Sequence, residues 1–320
     1  MSDPSLIVGY DPGFGNTKVC TPAGVAVLQS AIARPREIGQ AAQGVNVAKR
    51  PLNITVGADR FVAGPGAWLW GDPQTNMDYT DLASLKRLSL FYATFSKLHA
   101  PGDYEIETLA IGLPVPLLQD QAQAAALLGS LKVYKGAHGF KVEGQPYTLE
   151  IKRVKALPQP VGAYADWALD EDSHIRRGSS SELVAVIDLG MNTLDLYVIQ
   201  GWEVQPRYIG GDKLGVRRLL ETMNGHREHD LEALDSDLRA GQLSPDDQDL
   251  SAWLARVMGS IERHWSSLRA FDLVIPTGGG ASVLGSRLNA ALLSKGARAH
   301  WPQNPLTANV EGFYKWGARR

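Results

Sequence analysis

Val8-Gly-Tyr-Asp11-Pro-Gly13-Phe-Gly-Asn16-Thr-Lys18 and Val186-Ile-Asp188-Leu-Gly190-Met-Asn-Thr193-Leu-Asp195 are two copies of one pattern. Each is a short apolar run ending in an Asp, with a Gly two residues later and a small polar residue five later. The two Asp residues stand 177 positions apart, which predicts a duplicated strand–turn unit with a whole domain between the copies. The shared spacing has a chemical reason. An Asp at a strand end in a cleft can hold Mg²⁺ through its waters. The Gly lets the backbone approach an anion closely, and turn N–H groups then point at phosphate oxygens. Lys18 adds a flexible point charge suited to phosphate. Two such loops facing each other would grip a triphosphate from both sides. Taken singly, each piece is ordinary: an Asp-x-Gly turn is common loop chemistry, and Lys18 alone reads as a solvated surface lysine. Neither a Walker A motif nor a convincing dinucleotide fingerprint occurs.

Outward from these loops the chain alternates strands and helices, the pattern of an α/β architecture. Leu6–Tyr10 reads as a buried strand running into a turn. Ile54–Val56 and Arg60–Ala63 flank Gly57-Ala-Asp59 as a hairpin. Ile106–Ile111 is a strand closed by Gly112-Leu-Pro-Val115, and Tyr147–Val154 alternates loosely. Pro160 is pre-set for a first helical turn, so a helix is expected from there to about Leu169. The polar segment Asp170–Ser181 separates two halves. Beyond it, Leu183–Ile187 and Leu194–Ile199 read as a strand and its hairpin partner. Asp212 is expected to cap a helix carrying Val216, Leu219, Leu220 and Met223. The charged stretch Glu221–Asp249 reads as peripheral. Leu250, Leu254, Val257, Met258, Ile261, Trp265 and Leu268 form one apolar stripe facing a core. Phe271–Ile275 is a strand, followed by Thr277-Gly-Gly-Gly-Ala281 and a helix to about Leu293.

Composition narrows the function classes. The 320 residues carry 32 Lys+Arg against 34 Asp+Glu, a formal charge of −2. That balance removes the electrostatic argument for direct binding to nucleic acid or to a membrane surface. The single Cys20 excludes an internal disulfide framework and fits a reducing cytosol. No apolar run approaches a membrane span, and Met1–Pro4 shows no secretory signal. A cytoplasmic location is the expectation.

The two Asp-x-Gly loops, the late Gly-Gly-Gly and the helix after Pro158-Gln-Pro-Val-Gly-Ala163 resemble the actin, sugar-kinase and 70-kDa heat-shock superfamily. Gly112–Val115, Ile209-Gly-Gly-Asp-Lys213 and Ala308-Asn-Val-Glu-Gly-Phe313 extend the resemblance over nearly the whole chain. Within that superfamily the sequence is most similar to ParM-like bacterial and archaeal actin-like ATPases, which segregate plasmids. The resemblance implies an α/β fold of two RNase-H-like (actin-like) domains flanking a nucleotide cleft. Domain I would be residues 1–165, completed by a C-terminal helix at about 305–320, with domain II at 166–304. The resemblance also implies site roles. Asp11 and Asp188 would face Mg²⁺. Gly13, Phe14, Gly15, Asn16 and Lys18, with Gly190, Met191, Asn192, Thr193 and Asp195, would bind the phosphates. Gly278, Gly279 and Gly280 would pack beside adenosine, and Gly211 and Lys213 near ribose and base. Gln159 takes the place of the water-positioning residue, where many relatives have Glu, and joins Asp11 and Asp188 as catalytic candidates.

The activity so implied is ATP hydrolysis coupled to filament dynamics, with ATP–Mg²⁺ as cofactor and GTP left open. The partners would be further copies of the chain in a filament, and a DNA-binding adaptor protein. Alternatives from the same superfamily stay open. A small-molecule kinase would need a cleft carboxylate as base; Asp72, Asp78 and Asp81 sit in a surface-like stretch. A chaperone-type ATPase would need a substrate domain after Arg320. A non-polymerising division or pilus scaffold would need an amphipathic tail, and Gly312–Arg320 reads instead as a packed terminal helix.

Overall fold

A computed structural model describes residues 5–36, 51–71, 79–118, 120–225 and 231–319. Asp72 and Asp78 fall outside them, as does part of the charged stretch 221–249. The chain packs as two compact units, Met1–Ala156 and Leu157–Arg320.

The first unit holds β1 (Leu6–Pro12), β2 (Asn16–Thr21), β3 (Gly24–Gln29), β4 (Ile32–Ala33), β5 (Leu52–Val56), β6 (Asp59–Ala63), β7 (Gly102–Leu113), β8 (Gly136–Val142) and β9 (Gln145–Pro158). They form one sheet in the order β3-β2-β1-β7-β9-β8-β5-β6-β4. β1 and β2 are an antiparallel hairpin with Asp11 opposite Lys18, and β1 runs parallel to β7. The helices are α1 (Ala67–Trp70), α2 (Leu85–Phe95), α3 (Val115–Leu118) and α4 (Gln121–Ser130). α2 starts where the Ser84 hydroxyl accepts the Arg87 N–H at 3.2 Å, a cap worth about 1 kcal/mol. Its Leu88, Phe91 and Phe95 are buried with Val8, Tyr10, Ile106 and Leu109, each contributing roughly 1.5–3 kcal/mol of apolar burial.

Two imidazoles sit in this unit's aromatic layer. His138 Nε2 lies 2.9 Å from the Tyr134 carbonyl, which can only accept. Nε2 therefore carries the proton, and Nδ1 accepts from the Tyr92 hydroxyl at 2.8 Å. His99 Nε2 contacts Thr21 Oγ1 at 3.0 Å. Burial holds both His99 and His138 below the ordinary imidazole range. The unfolded chain therefore takes up protons before the folded one as pH falls below about 6.5, and stability declines from that point downward. The two imidazoles should lower the urea midpoint between pH 7.5 and 5.5, against an opposite contribution from Asp195, whose carboxyl burial raises to about 6. His138→Gln keeps a donor toward Tyr134 without an ionisable ring and should make that drop shallower. An unchanged slope would place the acid sensitivity elsewhere.

The second unit holds β10 (Val184–Leu189), β11 (Leu194–Gln200), β12 (Glu203–Val204), β13 (Gly210–Asp212) and β14 (Leu273–Thr277). The order is β12-β11-β10-β14, with β13 pairing to β11. β10 is buried along its whole length and runs parallel to β14, which is why Val184–Leu189 reads as apolar with no alternation until its Asp. Its helices are α5 (Gln159–Ala168), α6 (Val216–Met223), α7 (Leu231–Arg239), α8 (Asp247–His264), α9 (Gly279–Ser294) and α10 (Ala308–Ala318).

Two expectations meet a different outcome here. Asp212 does not cap α6: the cap residue is Gly215, with no side-chain bond. Asp212 belongs to β13, and its carboxylate is held by the Ser260 hydroxyl and by Arg263 Nη2 at 2.7 Å, groups brought from α8. The apolar stripe leaves its helix at His264, because Leu268 sits on a separate short turn, yet Trp265 and Leu268 still enter the same core. The division between the two units falls between Ala156 and Leu157. That division places α5 and α10 in one unit, where a glycine on each helix lets their backbones touch: a Cβ on Gly312 would lie 1.8 Å from the Gly162 oxygen.

Candidate functional site

The hairpin of β1 and β2 carries the first loop. Asp11 ends the strand at 2% exposure, and Lys18, 7% exposed, sits with its Nζ 2.7 Å from Asp11 Oδ2. Lys18 is thus buried, and not the solvated surface lysine that it reads as when taken alone. It is one half of a buried ion pair, in which loss of either partner strands the other.

The backbone of Gly13–Asn16 is held from behind. The Ser30 hydroxyl donates to the Gly13 carbonyl at 2.7 Å, and the Ser30 N–H donates to Gly15 O at 3.0 Å. That commits the Ser30 proton, so Thr17 Oγ1 is the donor in its 2.9 Å contact with Ser30 Oγ. Arg87 Nη1 donates to the carbonyls of Pro12 and Gly13 at 3.2 and 3.3 Å. Among the described residues no peptide bond is cis, and a trans peptide sets its N–H antiparallel to its carbonyl. Turning the Pro12 and Gly13 carbonyls toward Arg87 and Ser30 therefore turns the N–H groups of Gly13 and Phe14 the opposite way.

The second loop repeats the design in the second unit. Asp188 stands opposite Asp195 on β11, in the register that places Asp11 opposite Lys18. The Gly190 N–H closes the turn onto Thr193 O at 2.9 Å. The carbonyls of Gly190, Met191 and Asn192 accept from the N–H groups of Val216, Arg217 and Gly215 at 3.1, 2.8 and 3.3 Å. These donors are the N-terminus of α6. By the same antiparallel rule, the N–H groups of Met191, Asn192 and Thr193 point away from that helix.

Asp188 is fixed by Asn309, whose Nδ2 donates to Asp188 Oδ2 at 2.8 Å while its Oδ1 accepts the Ala163 N–H at 3.1 Å. Asp195 Oδ2 accepts from the Thr193 hydroxyl at 2.7 Å. Burial pushes the Asp195 carboxyl up to about 6, against the pull of that hydroxyl. Gly211 lies opposite Asp195 across the β11–β13 pair, and Lys213 is exposed just beyond. Gly278 has φ 90° and, with Gly279 and Gly280, opens α9. A Cβ on Gly278 would lie 2.7 Å from Asp188 Oδ1 and 2.4 Å from Leu189 O, so only glycine fits. Gln159 is the first residue of α5.

Within the second unit, Asp188, residues 190–193, Asp195, Gly211 and Gly278–Gly280 thus gather at the carboxyl ends of β10 and β14. That is where open α/β sheets place their ligands. In the first unit Asp11, Gly13, Phe14, Gly15, Asn16 and Lys18 gather on one hairpin. Ser30, Arg87 and Asn309 support these loops and were not read from the sequence as site residues. The one visible signal was Arg87, a cation on the otherwise apolar face that carries Leu88, Phe91 and Phe95.

Two α/β units, each built on an Asp-ended hairpin with a backbone loop beside it, define an actin-like two-domain fold. Residues 9–162 match the family model of the actin like proteins N terminal domain. No curated protein matches the chain in sequence. Among solved structures, the chain is similar to the apo psk41 ParM protein, at 16% identity and TM-score 0.75, with 98% of this chain and 97% of that one covered. It is also similar to a 15-stranded ParM filament from Clostridium botulinum, at 19% identity and TM-score 0.72, covering 98% and 99%. A third match is an archaeal actin homolog in complex with ADP, at 19% identity and TM-score 0.69, covering 97% and 98%. The family match covers residues 9–162, and the chain as a whole has the ParM-like actin fold. Among the described residues no helix is long and apolar enough to cross a membrane.

Proposed function

We propose that the chain is an ATPase that binds ATP–Mg²⁺ and polymerises into filaments in a nucleotide-dependent way, for plasmid or other DNA segregation or a related cytoskeletal task. The observation that carries the reading is the pair of hairpins with one register, each with a buried Asp and a loop whose carbonyls are turned inward. The ADP bound by the archaeal homolog and the filament formed by the Clostridium botulinum relative support it.

In this reading the N–H groups of residues 13–16 and 191–193, with Lys18, bind phosphate oxygens, and Gly190, whose own N–H closes the turn onto Thr193, shapes the second loop. Gly278–Gly280 lie beside adenosine, and Gly211, Lys213 and Asp195 complete the nucleotide's surroundings. Asp11 and Asp188 would each offer Mg²⁺ one hard carboxylate, and Mg²⁺ is commonly held by one or two carboxylates plus phosphates and water. When bound, the ion would neutralise charge on the phosphates. Asn309 keeps the Asp188 carboxylate in place, and the Asp11–Lys18 pair does the same in the other loop. Gln159 would orient the attacking water; a neutral amide is a poor base, which suits slow, conformation-gated hydrolysis. A DNA-binding adaptor would supply the cargo contact that a chain of charge −2 does not offer by itself.

Sedimentation run in parallel with phosphate release tests the reading. The wild type should pellet with ATP–Mg²⁺ and not without it. Gln159→Ala should still pellet and release phosphate on the order of 10²-fold more slowly, the scale of one positioned proton-handling group. Wild-type hydrolysis in that variant would remove Gln159 from the role. Phosphate release with no pellet at any protein concentration would turn the assignment to a non-polymerising kinase or scaffold.

A further inference from the structure

We infer that Arg87 is a positioning residue of the first loop, whose buried guanidinium both shapes the loop backbone and supplies the charge that a bound phosphate completes. The inference rests on the phosphate-binding reading of Gly13–Asn16. Arg87 is 1% exposed in the first turn of α2. Its Nη1 reaches the Pro12 and Gly13 carbonyls, and its guanidinium carbon lies 5.6 Å from the centre of the Phe14 ring. Its Nε has no hydrogen-bond partner, and among the described residues no carboxylate pairs with it. A cation taken out of water without a counter-ion is costly, and among the described residues the Arg87 contacts leave its charge uncompensated.

The second loop shows what that charge is for. There the three loop carbonyls are gathered by the N-terminus of α6, the positive end of a helix dipole. Among the described residues no helix N–H donates to the first loop's Pro12 and Gly13 carbonyls; α2 instead presents the guanidinium of Arg87. Both loops are therefore backed by a positive pole that draws the carbonyls in and leaves N–H groups on the far side. An anion on that side meets the N–H groups directly and the Arg87 charge through a dry, low-dielectric layer, where screening is weak. The Ser30 hydroxyl assists by holding the Gly13 carbonyl from a second direction.

The test uses the full chain and calorimetric titration with Mg²⁺ and, separately, ATP, inorganic tripolyphosphate and adenosine. Arg87→Met keeps length and apolar volume and removes donors and charge. It should weaken ATP and tripolyphosphate about 10- to 100-fold, the scale of lost charge-assisted hydrogen bonds, and leave adenosine affinity unchanged. Ser30→Ala should show a smaller loss with the same dependence on phosphate, and Arg87→Lys should recover part of it. A purely structural role predicts something else: ATP and adenosine weakened alike, in step with a lower melting temperature. That result, or wild-type ATP affinity in Arg87→Met, would overturn the inference. If Arg87→Met does not fold, Ser30→Ala and Arg87→Lys decide by the same comparison. A wild type that binds neither ATP nor tripolyphosphate defeats the phosphate reading of the loop itself, before any variant is made.

Discussion

Asp188→Asn should melt within a few degrees of the wild type and release phosphate about 10²- to 10³-fold more slowly. The two halves of that expectation come from different atoms. Asp188 Oδ2 accepts a hydrogen bond from Asn309 Nδ2 at 2.8 Å, and an asparagine oxygen in the same place accepts it equally well. Shape, burial and the Asn309 contact persist. What disappears is one negative charge at a position 7% exposed, where a preorganised charge acts on a developing transition state at full strength. Asp188→Ala makes the contrast. It also removes the acceptor, leaves the Asn309 amide unpaired at a cost of about 1–3 kcal/mol, and should lower the melting temperature as well as the rate. Phosphate release measured across a Mg²⁺ titration checks both variants: Asp188→Asn should need more Mg²⁺ for half its maximal rate. A wild-type rate at ordinary Mg²⁺ would take Asp188 out of the metal role.

Much of this arrangement is legible in the chain because the informative residues are local in sequence. Val8–Asp11 and Val186–Asp188 are strands that end in an acid, and a turn must follow within a few residues. The repeat of that unit, and the Pro158–Pro160 pair that starts α5 at Gln159, survive any tertiary rearrangement. The supporting residues are legible only through contacts distant in sequence. Ser30 meets Gly13 across the β2–β3 hairpin, Arg87 comes from a helix more than seventy positions away, and Asn309 reaches Asp188 from the last helix. None of the three has a spacing relation to the loop it serves. Asp212 shows the converse error. An acid shortly before an amphipathic run is a good cap signal, but β13 pairs with β11 and turns the carboxylate toward Ser260 and Arg263 on α8. A strong tertiary partner overrode a modest local preference. Lys18 illustrates the same limit. Its residue type suits a phosphate, and nothing in the sequence could show that Asp11 lies 2.7 Å away.

The contact that carries Asn309 to Asp188 is also where the fold tolerates change least. α5 and α10 cross with Gly162 against Gly312. A Cβ on Gly312 would lie 1.8 Å from the Gly162 oxygen and 2.7 Å from the Asp166 nitrogen. Both obstacles are backbone atoms, which no rotamer change can clear, so Gly312→Ala must push the two helices apart. The separation pulls Asn309 from Ala163 and Asp188 and Lys315 from Asp166, now at 2.9 Å in a partly buried pair. Overpacking of this kind costs about 1–3 kcal/mol, and the stretched buried hydrogen bonds add a similar amount. The expected loss is on the order of 3–5 kcal/mol, or roughly 10 °C in melting temperature, with phosphate release falling in parallel as Asp188 loses its support. Gly129→Ala, in α4 where an added Cβ meets nothing within 4 Å, is the matched control. It should hold or raise the melting temperature, since alanine is the better helix residue by up to about 1 kcal/mol. Thermal melts of the two variants side by side decide the matter. If Gly312→Ala melts with the wild type, the backbone-to-backbone crossing of α5 and α10 is not the contact that holds Asn309 on Asp188.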